Sequence, residues 1–154
     1  MKPIELREEI AIELESMDMI VNELVALQKD MANREPTTRE KTAAAAFLAQ
    51  FYNGIENILK RIYRYYGASL PTGESWHVEL FQSFCSPTHP GLPQLFDQDL
   101  ASALAPYRRF RHVAFHSYGF HLEWSRMVTG VENVKSVFEQ IKSNISAYLR
   151  SIDG

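Results

Sequence analysis

A chain of 154 residues, 45% of them hydrophobic, is long enough to bury the core of one domain and too apolar to be disordered. Its formal net charge of -3 excludes a uniformly basic nucleic-acid-binding surface, so any contact with RNA must come from a local patch. The single cysteine, Cys85, excludes an internal disulfide and a cysteine-built metal cluster, and is expected as a small core residue rather than a reactive thiol. No apolar run approaches the roughly 18 residues of a membrane span. The start, Met1-Lys2-Pro3-Ile4-Glu5, turns acidic at once and has no signal-peptide core, so a soluble cytoplasmic protein is expected.

From Pro3 to about Asn33, Leu6, Ile10, Leu14, Met17, Val21, Leu24, Leu27 and Met31 recur at gaps of three and four, which predicts a long helix. Pro3 suits its first turn, and Glu5, Glu8 and Glu9 sit where the helix dipole favours anions. Asn33-Arg34-Glu35-Pro36 breaks the pattern. Thr37 and Glu40 then form a predicted capping box. Ala44, Phe47, Phe51, Ile55, Ile58 and Ile62 carry a second helix to Gly67, where it should stop, so the first two helices are expected to form an antiparallel hairpin. The second helix also carries Asn53, Glu56, Asn57, Lys60, Arg61 and Arg64. One reading makes these a solvated face, and the other places Glu56 or Asn57 behind a functional segment further along.

A turn at Leu70–Glu74 leads to a short predicted helix from Ser75 to about Cys85, with Trp76, Leu80, Phe81 and Phe84 inward and His77 as a surface or packing residue. Three prolines and a glycine make Ser86–Pro93 a loop. Another helix is expected from near Asp97, kinked or broken at Pro106 because proline removes a backbone bond and clashes with the preceding turn. Gly119 marks its expected end, and Leu122–Val128 a connection. The last predicted helix, from about Val131 to Ile152, buries Val131, Val134, Phe138, Ile141, Ile145, Tyr148 and Ile152. With no strand pattern and no repeat, the architecture reads as a single all-α domain over 1–154, an up-and-down four-helix bundle with a short additional helix.

Within the fourth of these helices, Tyr107–Tyr118 gathers three arginines and two histidines among aromatic residues. Arginine offers a planar fork for phosphate that stays charged, and histidine exchanges a proton near neutrality. At about 100° per residue, Arg111 and His116 diverge by about 140° on an ideal helix, and Tyr118 returns to the Arg111 face. His112 and His116, at i and i+4, also have a two-histidine metal spacing, with His121 and Glu123 nearby in sequence. Tyr107, Phe110, Phe115 and Phe120 read most simply as core, and Ser117 and His121 as loop lining.

The string R-x-x-x-x-H-x-Y formed by Arg111, His116 and Tyr118 resembles the signature of HEPN-domain ribonucleases, in particular the HepT toxins. The helical stretch Phe51–Lys60, the Leu70-Pro71-x-Gly73-x-x-Trp76-His77 turn and Tyr107–His112 also look like that family, so the resemblance runs over roughly residues 5 to 150. It implies a HEPN-like helical homodimer whose two motifs meet in a cleft and cleave RNA, tRNA being one candidate, without a metal or other cofactor. It makes Arg111 and His116 the catalytic pair, with Arg108, Arg109, His112, Glu56 and Asn57 as RNA-binding or supporting residues. It further implies an MNT-type nucleotidyltransferase antitoxin that silences the toxin by attaching AMP to Tyr118. The alternative is a catalytically inactive HEPN protein that serves as a binding partner of such a transferase.

Overall fold

The computed structural model describes residues 2–87, 89–116 and 118–152, with Phe115 described by its backbone alone. Helix α1 spans Pro3–Asp30 and α2 spans Thr38–Tyr65. Their junction is built as the sequence predicts. The Thr37 hydroxyl accepts from the Glu40 backbone N–H at 3.2 Å, and Glu40 Oε1 accepts from the Thr37 N–H at 2.9 Å. Arg34 adds a two-pronged ion pair to Glu40, each prong 2.6 Å long. These partners, Arg34 first and the Thr37 backbone second, hold the Glu40 carboxyl down at about 2. At its far end α2 stops in a Schellman motif. Ala68 N–H bonds Tyr63 C=O, Gly67 N–H bonds Arg64 C=O, and Gly67 takes φ of 67°.

Helix α3 spans Trp76–Gln82, α4 spans Gln98–His116 and α5 spans Val128–Ile152. Two single-turn 3₁₀ segments, Gly119–His121 and Trp124–Arg126, link α4 to α5. Asp97 caps α4 by accepting from the Leu100 N–H at 2.7 Å. The expected break at Pro106 does not occur, and α4 runs through it. Pro106 and Ser102, whose carbonyl loses its partner, both lie on the exposed side of the helix, where water can serve that carbonyl. The helix also ends at His116, three residues before Gly119, and α5 begins three residues before Val131.

Side-chain pairs fix the directions. Met17 faces Gly54 and Glu13 reaches Arg61, so α1 and α2 run antiparallel. Arg111 meets Asn53 while Gly119 abuts Thr42, which sets α4 antiparallel to α2. Tyr107 donates to Gly130 C=O and Asn144 to Leu95 C=O, so α5 returns along α4. The result is an up-and-down bundle of α1, α2, α4 and α5 with α3 as the short addition.

The predicted stripes supply the core: Leu6, Ile10, Met17, Val21 and Leu24 from α1, Ile55, Ile58 and Ile62 from α2, and Val131, Val134, Phe138, Ile141 and Ile145 from α5 are all buried. Phe51 packs its ring against Tyr107 at 5.3 Å and Phe138 at 6.0 Å between centroids, joining three helices. Leu14, Leu27, Phe47, Trp76 and Ile152 pack at the margin of the core, partly exposed. Helix α2 buries more than its predicted stripe. Tyr52, Glu56, Leu59 and Tyr63, spaced at four, three and four, form a second buried line. That line exists because α2 packs against α3 as well as α1 and α4. Among the described residues, no helix is long and apolar enough to cross a membrane.

Candidate active site

Glu56 lies on the second buried line of α2, with 3% of its surface exposed. A carboxylate so placed needs partners, and it has two. Its Oε2 lies 2.5 Å from His77 Nδ1, and its Oε1 lies 3.5 Å from Arg111 Nε. Arg111 in turn donates from Nε to Asn53 Oδ1 at 2.7 Å, and its Nη1 lies 3.3 Å from His77 Nε2. Asn53 and Glu56 stand at i and i+3 on α2, so both face the same neighbour. Three helices thus converge on one guanidinium: α2 with Asn53 and Glu56, α3 with His77, and α4 with Arg111 itself. About a quarter of the Arg111 side chain, 27%, still meets solvent.

The surroundings are aromatic. The Trp76 ring lies against His77 with centroids 3.4 Å apart, and Lys60 Nζ sits 4.5 Å above the Trp76 ring. Arg108, three residues before Arg111 and on the same side of α4, lies 4.9 Å over the Phe81 ring. It borders a groove of about 860 Å³ between α3 and α4, lined also by Glu79, Cys85 and Ala105. Tyr52 is fully buried nearby, and burial, aided by the Glu56 charge, pushes its phenol far above the usual range, so it stays neutral. Cys85 is only partly buried, its thiol directed at Phe81 C=O, and burial raises its pKa, the opposite of what a nucleophilic thiol requires.

The other predicted residues are distributed around α4. Arg109 points to a different side, where with Phe110, Val113, Arg126 and Met127 it lines a mostly apolar cavity of about 500 Å³. His112 and His116 are exposed, their rings 4.4 Å apart. Among the described residues, no group of three or more His, Cys, Asp or Glu side chains assembles as a metal site. Helix α4 is continuous between Arg111 and His116, which keeps the ideal divergence of about 140° between them. Arg111 therefore turns inward toward α2 and α3 while His116 faces outward at the end of α4. Tyr118 lies just beyond that end, 73% exposed, with Phe120 6.3 Å and His121 6.1 Å from its ring centroid. Phe120 is exposed to the same degree, which corrects its expected place in the core. The Gly119 backbone lies close against Thr42 of α2, leaving no room for a Cβ there. The Phe115 side chain and Ser117 lie outside the described residues.

Of the two candidates on α2, Glu56 lies behind Arg111, whereas Asn57 turns about 100° away and reaches Glu13 on α1 at 3.5 Å. His77, expected as a surface or packing residue, is instead half-buried in the site, and Asn53 joins it. The line Tyr52, Glu56, Leu59, Tyr63 marks a second packed face of α2 and hence a neighbour for Glu56, but it does not single out His77 or Asn53.

Comparison with curated proteins and with solved structures finds no match. A family model described as HepT-like protein matches residues 43–152, which takes in all but the first turn or so of α2, the chain from there through α5, and every residue of the site. That match covers well over half of the chain and coincides with an all-helical bundle that presents Arg111, His116 and Tyr118 on one helix and its exit, and the protein therefore belongs to the HepT-like family of the HEPN superfamily.

Proposed function

We propose that this protein is a metal-independent endoribonuclease, the toxin of a toxin–antitoxin pair, acting as a homodimer and silenced by AMP attached to Tyr118. The observation that carries the reading is Arg111. A guanidinium held by Asn53, Glu56 and His77, yet partly open to solvent, suits a phosphate better than a structural ion pair does. RNA supplies its own nucleophile. His116 as a neutral base takes the 2′-hydroxyl proton, and the oxygen attacks the adjacent phosphorus. Arg111 stabilises the charge that builds on the phosphoryl oxygens. The bond from phosphorus to the 5′-oxygen breaks, and a protonated His116 of a second copy delivers a proton to that oxygen. The products carry a 2′,3′-cyclic phosphate and a 5′-hydroxyl. Two copies are required because Arg111 and His116 of one chain face different ways, and each motif brings one histidine. Arg108 adds charge along the groove without reading sequence.

Tyr118 supports the control step by its exposure. Its phenol oxygen attacks the α-phosphorus of ATP on an MNT-type nucleotidyltransferase, pyrophosphate leaves, and the phenol proton is lost. The attached AMP places a phosphate and a purine beside the motif, where they compete with RNA for the arginines.

Pure protein is expected to cut RNA in excess chelator, and Arg111→Ala and His116→Ala to lose cutting by about 10²-fold or more. Intact RNA with the wild-type protein, together with stable binding to the transferase, would instead establish the non-catalytic partner reading. Co-expression with the transferase should add one or more AMP masses, mapped to Tyr118. An equal mass increase in Tyr118→Phe removes this form of control and leaves the ribonuclease reading intact.

A further inference from the structure

His77 reaches the site from α3, outside the segment that carries the motif. Its two ring nitrogens face opposite ways, Nδ1 toward Glu56 at 2.5 Å and Nε2 toward Arg111 at 3.3 Å. A guanidinium can only donate, so Nε2 must accept. The ring proton then resides on Nδ1 and is donated to Glu56. In this arrangement the ring is neutral and its acceptor is turned to Arg111 rather than outward. Asn53 holds a second corner of the guanidinium through Nε. Trp76 lies against the imidazole, which restricts rotation of the His77 ring, and Lys60 Nζ lies over the Trp76 ring.

We propose that His77 is a positioning residue for Arg111. With Glu56 and Asn53 it fixes the guanidinium in one orientation, so that the fork meets an RNA phosphate already aligned. This inference rests on reading Arg111 as the phosphate-binding group.

Asparagine and glutamine separate the two halves of the ring. In His77→Asn, the amide nitrogen takes the place of Nδ1 and donates to Glu56, but nothing stands at Nε2. In His77→Gln, the side-chain oxygen reaches the Nε2 position and accepts from Arg111. Cleavage by His77→Asn should fall on the order of 10²-fold in kcat, as for a misplaced catalytic group, while His77→Gln retains most of it. A proton-transfer role would make both variants equally inactive, and that result overturns the proposal. A second readout needs no catalysis. In the ¹⁵N-labelled full chain, the Arg111 Nη1–H signal, which faces His77 Nε2 and is assigned by its loss in Arg111→Lys, should exchange slowly with water in wild type and His77→Gln and rapidly in His77→Asn. An unchanged Arg111 signal in His77→Asn overturns the clamp whatever the cleavage rate. Wild-type protein that leaves RNA whole would sink the ribonuclease reading, and the Arg111 signal would then decide the clamp by itself. Should His77→Asn fail to fold, slow exchange of the Arg111 Nη1–H kept in His77→Gln and lost in His77→Ala supports the clamp, and rapid exchange in His77→Gln overturns it.

Discussion

Burying one carboxylate sets the terms for several side chains around it. Glu56 is 3% exposed, and His77 and Arg111 supply the partners that make its charge tolerable. Replacing it by alanine removes the carboxylate that bonds His77 and faces Arg111. Glu56→Ala is expected to lower stability by about 1–3 kcal/mol and to weaken RNA cleavage, with urea unfolding as the measure of the first. An unchanged midpoint would mean that these bonds contribute nothing to folding. Tyr118 stands at the opposite extreme, 73% exposed with its ring near the exposed rings of Phe120 and His121. Tyr118→Phe should therefore leave both unfolding midpoint and cleavage near wild type, because in the proposed control step the hydroxyl serves as the acceptor for AMP. A Tyr118→Phe protein that no longer cuts RNA would assign the phenol a direct part in the chemistry.

Helix packing and helix capping each yield a prediction of their own. Gly54 lets α1 approach α2, since a Cβ there would lie 2.5 Å from Met17 Cγ and 2.8 Å from its sulfur. Helix propensity alone favours alanine over glycine by about 1 kcal/mol, yet Gly54→Ala is expected to destabilise by about 1–3 kcal/mol through overpacking. In a Met17→Ala background the same change should become neutral or stabilising, a coupling that a double-mutant cycle reads directly. The cap of α2 responds to pH. Glu40 has a folded pKa of about 2 against an ordinary value of 4.5. Its contribution is therefore complete above about pH 4.5 and is lost as pH falls toward 2. Glu40→Gln should flatten the decline in unfolding midpoint across that window, and a parallel decline in both proteins would show the cap to be energetically silent.

For the whole molecule, the arrangement of α4 makes a specific demand. Arg111 faces inward and His116 outward on one unbroken helix, so the proposed reaction calls for a second copy to bring its histidine to the first copy's arginine. Light scattering in dilute solution should give a mass of about twice the 17.7 kDa of one chain. Mixed dimers of wild-type and His116→Ala chains should cut about as poorly as His116→Ala alone, because the cleft then holds one of the two histidines that the proposed reaction uses. Cleavage by such mixed dimers at about half the wild-type rate would argue that one histidine per site suffices.

The sequence by itself determined the elements, most of the core and the residues of the motif. Spacings of three and four locate the buried side of a helix because that side repeats along the chain, and the Thr37–Glu40 cap and the Gly67 stop are local chemistry between near neighbours. The site's interior was decided elsewhere. His77 lies 34 residues from Arg111 and Asn53 lies 58 residues from it. Their meeting depends on how α3 seats against α2 and how far α4 slides along it, which no local periodicity records. The same holds for Pro106, where exposure of the Ser102 carbonyl, a consequence of packing, let the helix continue. Tertiary structure also separated Glu56 from Asn57: adjacent residues on a helix point about 100° apart, and only the placement of α1 and α4 on different sides of α2 assigned one to the site and the other to the hairpin.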